Sequence, residues 1–255
     1  MNTKKTSTKN AARATPPRPL SIRSFNLDSA SSEECSRAAL ILNYTHESSV
    51  ALLKAFDLAR AERAGRLQAS RGMTTDEEQD LLRAMLVTVA SGLDSMLKQL
   101  IGDALPGIAH NDSQARRGLE RFLSHKIRFE TETDEKVRDR DFLARVLASA
   151  QPSQTVITEY ITELKRHSLQ SAEELSRTVS AFGLQPNDVG IDFESLRAIF
   201  DTRNKIIHEL DINFDSPRRS RNLRQKTAMI NQSNILLEVG EKILIAVDRK
   251  VKAQE

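Results

Sequence analysis

The chain holds 255 residues, 39% of them hydrophobic, with nine Gly, seven Pro, a single Cys and a formal charge of +3. This length forms one large domain or two small ones, and Leu, Ile, Ala and Val at helical spacing point to an all-α fold. Two classes are excluded: the lone Cys35 builds neither a disulfide framework nor a cysteine zinc cage, and no uncharged apolar run reaches the roughly 18 residues of a membrane span.

A reducing, cytoplasmic compartment is the expectation that follows. The positive charge is concentrated at one end. Lys4, Lys5, Lys9, Arg13, Arg18 and Arg23 precede residue 28 with no acid among them, leaving 32 basic against 35 acidic residues in the remainder. Residues 1–30 also hold Pro16, Pro17 and Pro19 and lack the apolar core of a signal peptide, so a disordered basic tail is expected there. Such a tail acts as a solubilising leader or as an arm that attracts phosphate.

Ser32, Glu33 and Glu34 open a long helix that carries Ala39, Leu42, Val50, Leu53 and Phe56 and continues to about Ala64. Gly65 and Gly72 bracket a break, which makes residues 31–70 an N-terminal helical extension. Thr75 with Glu78 then caps the most amphipathic segment, running from Leu81 through Ile101 to a stop near Leu105, Pro106 and Gly107. Shorter helices follow over 112–127, 134–150 and 154–167, the first two parted by the charged stretch from Arg128 to Glu135.

Ser171 with Glu174 caps a short helix ending at Gly183, and after a loop at Pro186, Asn187 and Gly190 the carboxylate of Asp192 caps a helix from Phe193 to about Asp211. Asp215, Ser216 and Pro217 turn the chain into a closing helix over 219–252. Residues 74–255 thus read as one helical domain. There is no fixed-period repeat and no Gly-rich phosphate loop.

The chemistry concentrates on the helix that starts at Phe193. Its heptad stripe reads Leu196, Ile199, Arg203, Ile206 and Leu210, widened by Phe193, Phe200 and Ile207, so a guanidinium occupies a slot suited to a core side chain. A buried charge without a partner costs several kcal/mol, so Arg203 must meet a carboxylate, a wet cleft or an interface. Asn204 and His208 are four apart and share a face, whereas Arg203 and His208 diverge by about 140° at 3.6 residues per turn. A second, facing copy of the helix brings all three kinds of group to one phosphate more readily than a single copy does.

Imidazoles exchange protons near neutral pH, guanidinium forks hold phosphate and its developing charge, and an amide orients a hydroxyl. That set suits metal-independent cleavage of a phosphodiester by a ribose 2′-hydroxyl. Arg218, Arg219, Arg221, Arg224 and Lys226 follow within a stretch that has no acid from Ser216 to Leu237, a candidate basic patch for a nucleic-acid backbone or a solvated helix face.

The run from Phe200 through Arg203, Asn204 and His208 to Glu209, late in a helical chain and before a long closing helix, resembles the HEPN superfamily, whose hallmark is Arg, four to six residues, then His. The segment from Ser91 to Leu100 resembles the first bundle helix of some bacterial members. The resemblance implies a HEPN-type helical bundle that dimerises with facing motifs into a metal-independent endoribonuclease cleft, often within toxin–antitoxin or antiviral defence systems.

Carried over, His208 is the acid/base group, Arg203 stabilises phosphate and transition state, and Asn204 orients. Asp94 is a candidate carboxylate partner for Arg203 or His208, or an exposed helix carboxylate. RNA, a second copy of the chain, and an antitoxin or defence-system protein are the implied partners, with no membrane, metal or cofactor.

Two other readings stay open. In one, the chain is a non-catalytic HEPN-like adaptor that binds a protein, nucleotide or RNA, and Arg203 and His208 serve only in an interhelical ion pair. Binding of nucleic acid through the tail alone is the third. His46, His110, His125 and His167 are scattered, and no pair has metal-site spacing.

Overall fold

The computed structural model describes residues 21–28, 30–67, 73–127, 134–190 and 192–254; in 134–140 and at 67, 186 and 188 the backbone alone is described. The chain is all-α, and its described residues form nine α-helices and one short 3-10 turn. They are α1 (Glu33–Leu67), α2 (Asp76–Asp103), α3 (Leu105–Asn111), α4 (Ser113–Ile127), α5 (Asp134–Ala148), α6 (Pro152–Arg166), α7 (Ala172–Ala181), α8 (Phe193–Glu209) and α9 (Lys226–Lys252).

Helix α2 is the hub, packed against α1 and α9 along its length and against α3, α6 and α8 elsewhere. Its start is set locally: Thr75 accepts from the Glu78 N–H, and the Glu78 carboxylate accepts from the Thr75 N–H, closing a reciprocal cap. The same Glu78 receives Arg63 of α1 through two bonds of 2.7 and 3.1 Å, so one side chain both caps α2 and ties it to α1. Among the described residues α2 alone is long and apolar enough to cross a membrane by length and composition. Its Leu82, Met85, Leu86, Leu93, Met96 and Leu100 are instead buried inside the bundle.

The three long helices meet through narrow seams. On α1 the buried residues Cys35, Ala38, Leu42, Thr45, Ser49, Leu53 and Phe56 follow one another at steps of three or four, the spacing that keeps one stripe against a partner helix. Burial pushes the Cys35 thiol up to about 11, which leaves it protonated and unreactive at neutral pH. At the α1–α2 crossing Gly92 faces Thr45 so closely that a Cβ there would collide with the Thr45 side chain. The start of α1 is fixed to α9: the Ser32 N–H and hydroxyl both donate to Asp248, at 2.8 and 2.7 Å.

Helix α1, expected as an N-terminal extension, thus packs in one core with α2 and α9. The expected tail also stops short of residue 30. Residues 1–20 lie outside the described residues, but Ile22 and Ala30 are buried, and Arg23 is held by Glu238 and Glu241 of α9 at 3.0 Å each.

Helices α3–α7 form a second layer around the C-terminal part of α2, where Phe122 meets Phe142 edge-on at a centroid spacing of 6.1 Å and Tyr160 at a tilt at 5.3 Å. Two boundaries depart from expectation. After Ala104 the chain resumes as α3, because Pro106 sits in the first turn, where its missing N–H is harmless. The closing helix starts at Lys226 rather than 219, since residues 210–225 fold into an irregular connection with a bridge between Ile212 and Arg221. The expected break at Gly72 and the stretch 128–133 lie outside the described residues.

Candidate functional site

Helix α8 is positioned at both ends. Asp192 caps its start by accepting from the Glu194 and Ser195 N–H groups, and Leu196, Ile199, Phe200 and Ile206 are buried beneath it. Its end is unusual. Leu210 and Asp211 both adopt left-handed backbone angles, φ 49° and 61°, which cost a non-glycine residue about 1–2 kcal/mol each. Leu210 is consequently off the helix and 64% exposed instead of continuing the apolar stripe.

Asp211 explains how that end is held. Its carboxylate is fully buried and accepts from Arg83 Nε at 2.9 Å, Arg224 Nε at 2.9 Å, Arg224 Nη2 at 2.5 Å and Asn222 Nδ2 at 3.1 Å. Burial alone would raise its pKa, but the bonds from Arg224, Arg83 and Asn222 outweigh it and hold the carboxyl below the ordinary aspartate range. Arg83 completes its fork on Asp80 and the Asn222 carbonyl, and Arg221 joins Asp80 at 2.6 Å.

The basic patch is largely used up by this arrangement. Arg221 pairs with Asp80, Arg224 with Asp211, and Lys226 with Asp57 of α1 at 2.5 Å while lying over the Phe56 ring. The stretch lacks acids in sequence but not in space, because α1, α2 and the end of α8 supply them. Arg218 and Arg219 are the members left exposed without a side-chain partner among the described residues.

On α8 itself His208 is exposed and has no hydrogen bond or ion pair among the described residues. Arg203 is half-buried; its Nη1 donates to Asn204 Oδ1 at 2.9 Å, and its Nε is buried with no partner. No carboxylate among the described residues reaches Arg203 or His208, in contrast to Arg83, Arg221 and Arg224. Asn204 is engaged twice, since its Nδ2 also donates to the Gln170 carbonyl at 3.0 Å. The apolar residues Ile207, Leu210, Phe214 and Leu223 are exposed along this helix end and connection.

Asp94 takes neither expected partner. Its Oδ2 accepts from Lys98 at 2.8 Å and its Oδ1 from the Leu169 N–H at 2.8 Å, because the 167–171 connection passes between α2 and α8. It lines a cavity of about 110 Å3 floored by Leu97, Ile101 and Leu164. Two features had no sequence signal. The Gln170 acceptor is a backbone carbonyl, blind to residue type, and Asp211 reads in sequence as an ordinary polar residue after a helix. The i, i+3 pair Asp80 and Arg83 was the one visible hint.

Among the described residues no group of three or more His, Cys, Asp or Glu side chains is placed to share a metal ion. In comparisons with known proteins, no family model, no curated protein and no solved structure matches this chain.

Proposed function

We propose that the chain is a HEPN-type, metal-independent endoribonuclease that works as a homodimer in the cytoplasm, with an antitoxin or defence-system protein as partner. One observation carries the reading: among the described residues Arg203 is a half-buried guanidinium with no carboxylate to neutralise it and a buried, unpaired Nε, while Arg83, Arg221 and Arg224 all have acidic partners. A cation left in that state favours an incoming anion. The exposed, unpartnered His208 lies on the same helix, next to the exposed apolar residues Ile207 and Leu210 that a second copy would cover.

In this reading RNA lies across the facing α8 helices. His208 takes the proton of a ribose 2′-hydroxyl as its oxygen attacks phosphorus. The bond from phosphorus to the 5′-oxygen breaks, a protonated imidazole returns a proton to that oxygen, and Arg203 stabilises the charge that builds on the phosphoryl oxygens. The products are a 2′,3′-cyclic phosphate and a 5′-hydroxyl. Arg218 and Arg219 are the basic residues free to follow the backbone.

The test is incubation with RNA, with and without EDTA, for the native chain and His208→Ala. EDTA-resistant cleavage to cyclic-phosphate ends is expected, falling by about a hundredfold or more in the variant. Equal cleavage by both sinks the proposal.

A second reading has its own support. Asn204 is committed to the Gln170 carbonyl, and Arg221, Arg224 and Lys226 are committed to acids, as a non-catalytic adaptor would have them. It predicts no cleavage and full tolerance of His208→Ala.

A further inference from the structure

We propose that Leu169–Ser171 is a strap, pinned by Asp94, that sets the orientation of the Arg203 guanidinium through Asn204. This rests on the reading of Arg203 as the anion-binding group of the site, and it makes Asp94 a positioning residue rather than one that touches RNA.

The strap's polar groups are held from three helices. The Leu169 N–H donates to Asp94 of α2 at 2.8 Å, the Gln170 N–H to Glu174 of α7 at 2.5 Å, and the Gln170 carbonyl accepts from Asn204 of α8 at 3.0 Å. Ser171 meanwhile caps α7 by accepting from the Glu174 N–H at 3.1 Å.

The Gln170 carbonyl decides which way the Asn204 amide faces. An amide has one donor end and one acceptor end, so a carbonyl on one side forces Nδ2 toward it and Oδ1 to the other. Oδ1 then receives Arg203 Nη1 at 2.9 Å. With the strap displaced, the amide is free to flip and would present N–H groups to a guanidinium that also has only N–H groups. The strap thus acts on Arg203 through the polarity of a single amide.

Packing alone does not set the strap's height. Leu169 is buried, yet with Asp94, Leu97 and Leu164 it walls a cavity of about 110 Å3, so on that side the Asp94 bond holds it in place.

The experiment follows the arginine side-chain N–H signals of the full chain by NMR, with Arg203 assigned through Arg203→Lys. Arg203 Nε–H is expected to exchange with water at least about tenfold more slowly than that of exposed Arg218. In Asp94→Ala this protection is lost. In Asp94→Asn, whose amide oxygen still accepts from Leu169, and in Lys98→Ala, which removes only the ion pair, it is retained.

RNA cleavage should follow the same order, with kcat in Asp94→Ala down by about tenfold or more, KM unchanged, and recovery in Asp94→Asn. Unchanged protection in Asp94→Ala, or equal loss in Asp94→Asn, overturns the proposal. Should Asp94→Ala not fold, Asn204→Ala gives the same reading: Arg203 exposed while the Leu169 amide stays protected supports the strap, and a protected Arg203 overturns it. Absence of any cleavage by the native chain, with the exchange pattern as expected, overturns the nuclease reading and leaves the strap standing.

Discussion

Asp211 and Arg203 lie at opposite ends of one electrostatic scale. Asp211 is wholly buried with four donated bonds, whereas among the described residues Arg203 has an amide and no acid. Asp211→Ala leaves Arg83, only 3% exposed, without its buried partner and is expected to cost about 3–5 kcal/mol, read as a lower urea midpoint. The pH sign follows from the depressed carboxyl pKa. Its contribution is complete above the ordinary aspartate value of 3.8 and is lost as pH falls through the lower folded value, so the native chain should lose stability below about pH 4 more steeply than Asp211→Asn. Equal slopes would remove Asp211 from the account of acid unfolding. Of these residues Arg203 was legible in sequence, because a charge in an apolar stripe is conspicuous. Asn204's real partner was not, because any residue type supplies a backbone carbonyl.

At the level of elements, the helix starts were readable wherever a side chain closes the cap. Thr75, Ser171 and Asp192 each cap the helix expected of them, since those bonds span only a few residues. The start of α9 was not readable. Residues 219–225 are compatible with a helix, but Arg221 and Arg224 are drawn to Asp80 and Asp211, and Gln79 of α2 holds both the N–H and the carbonyl of Arg224, at 2.6 and 2.9 Å. Tertiary bonds there outweigh local propensity. The crossing of α1 and α2 depends on a residue with no side chain. Gly92→Ala is expected to push Thr45 aside or part the helices, costing about 1–3 kcal/mol and lowering the thermal midpoint, although alanine is the better helix former. A variant as stable as the native chain would mean that the crossing relaxes freely.

Over the whole molecule, the all-α class followed from periodicity, but the place of α1 in the packing did not, because heptad spacing marks a seam without saying which helix fills it. The seam is filled by α2 and α9, so the first and last long helices share one core. The contact between Ser32 and Asp248 spans 216 residues, and Lys252 reaches back to Ser31 at 2.9 Å. This has a consequence during synthesis. A nascent chain that has released α1 to α8 lacks the helix that completes their scaffold, so folding of this bundle must wait for α9 to leave the ribosome. Ribosome-bound chains ending at residue 225 should be digested readily by protease, and chains whose α9 has fully emerged should resist. Early resistance would show that α1 and α2 stand without it.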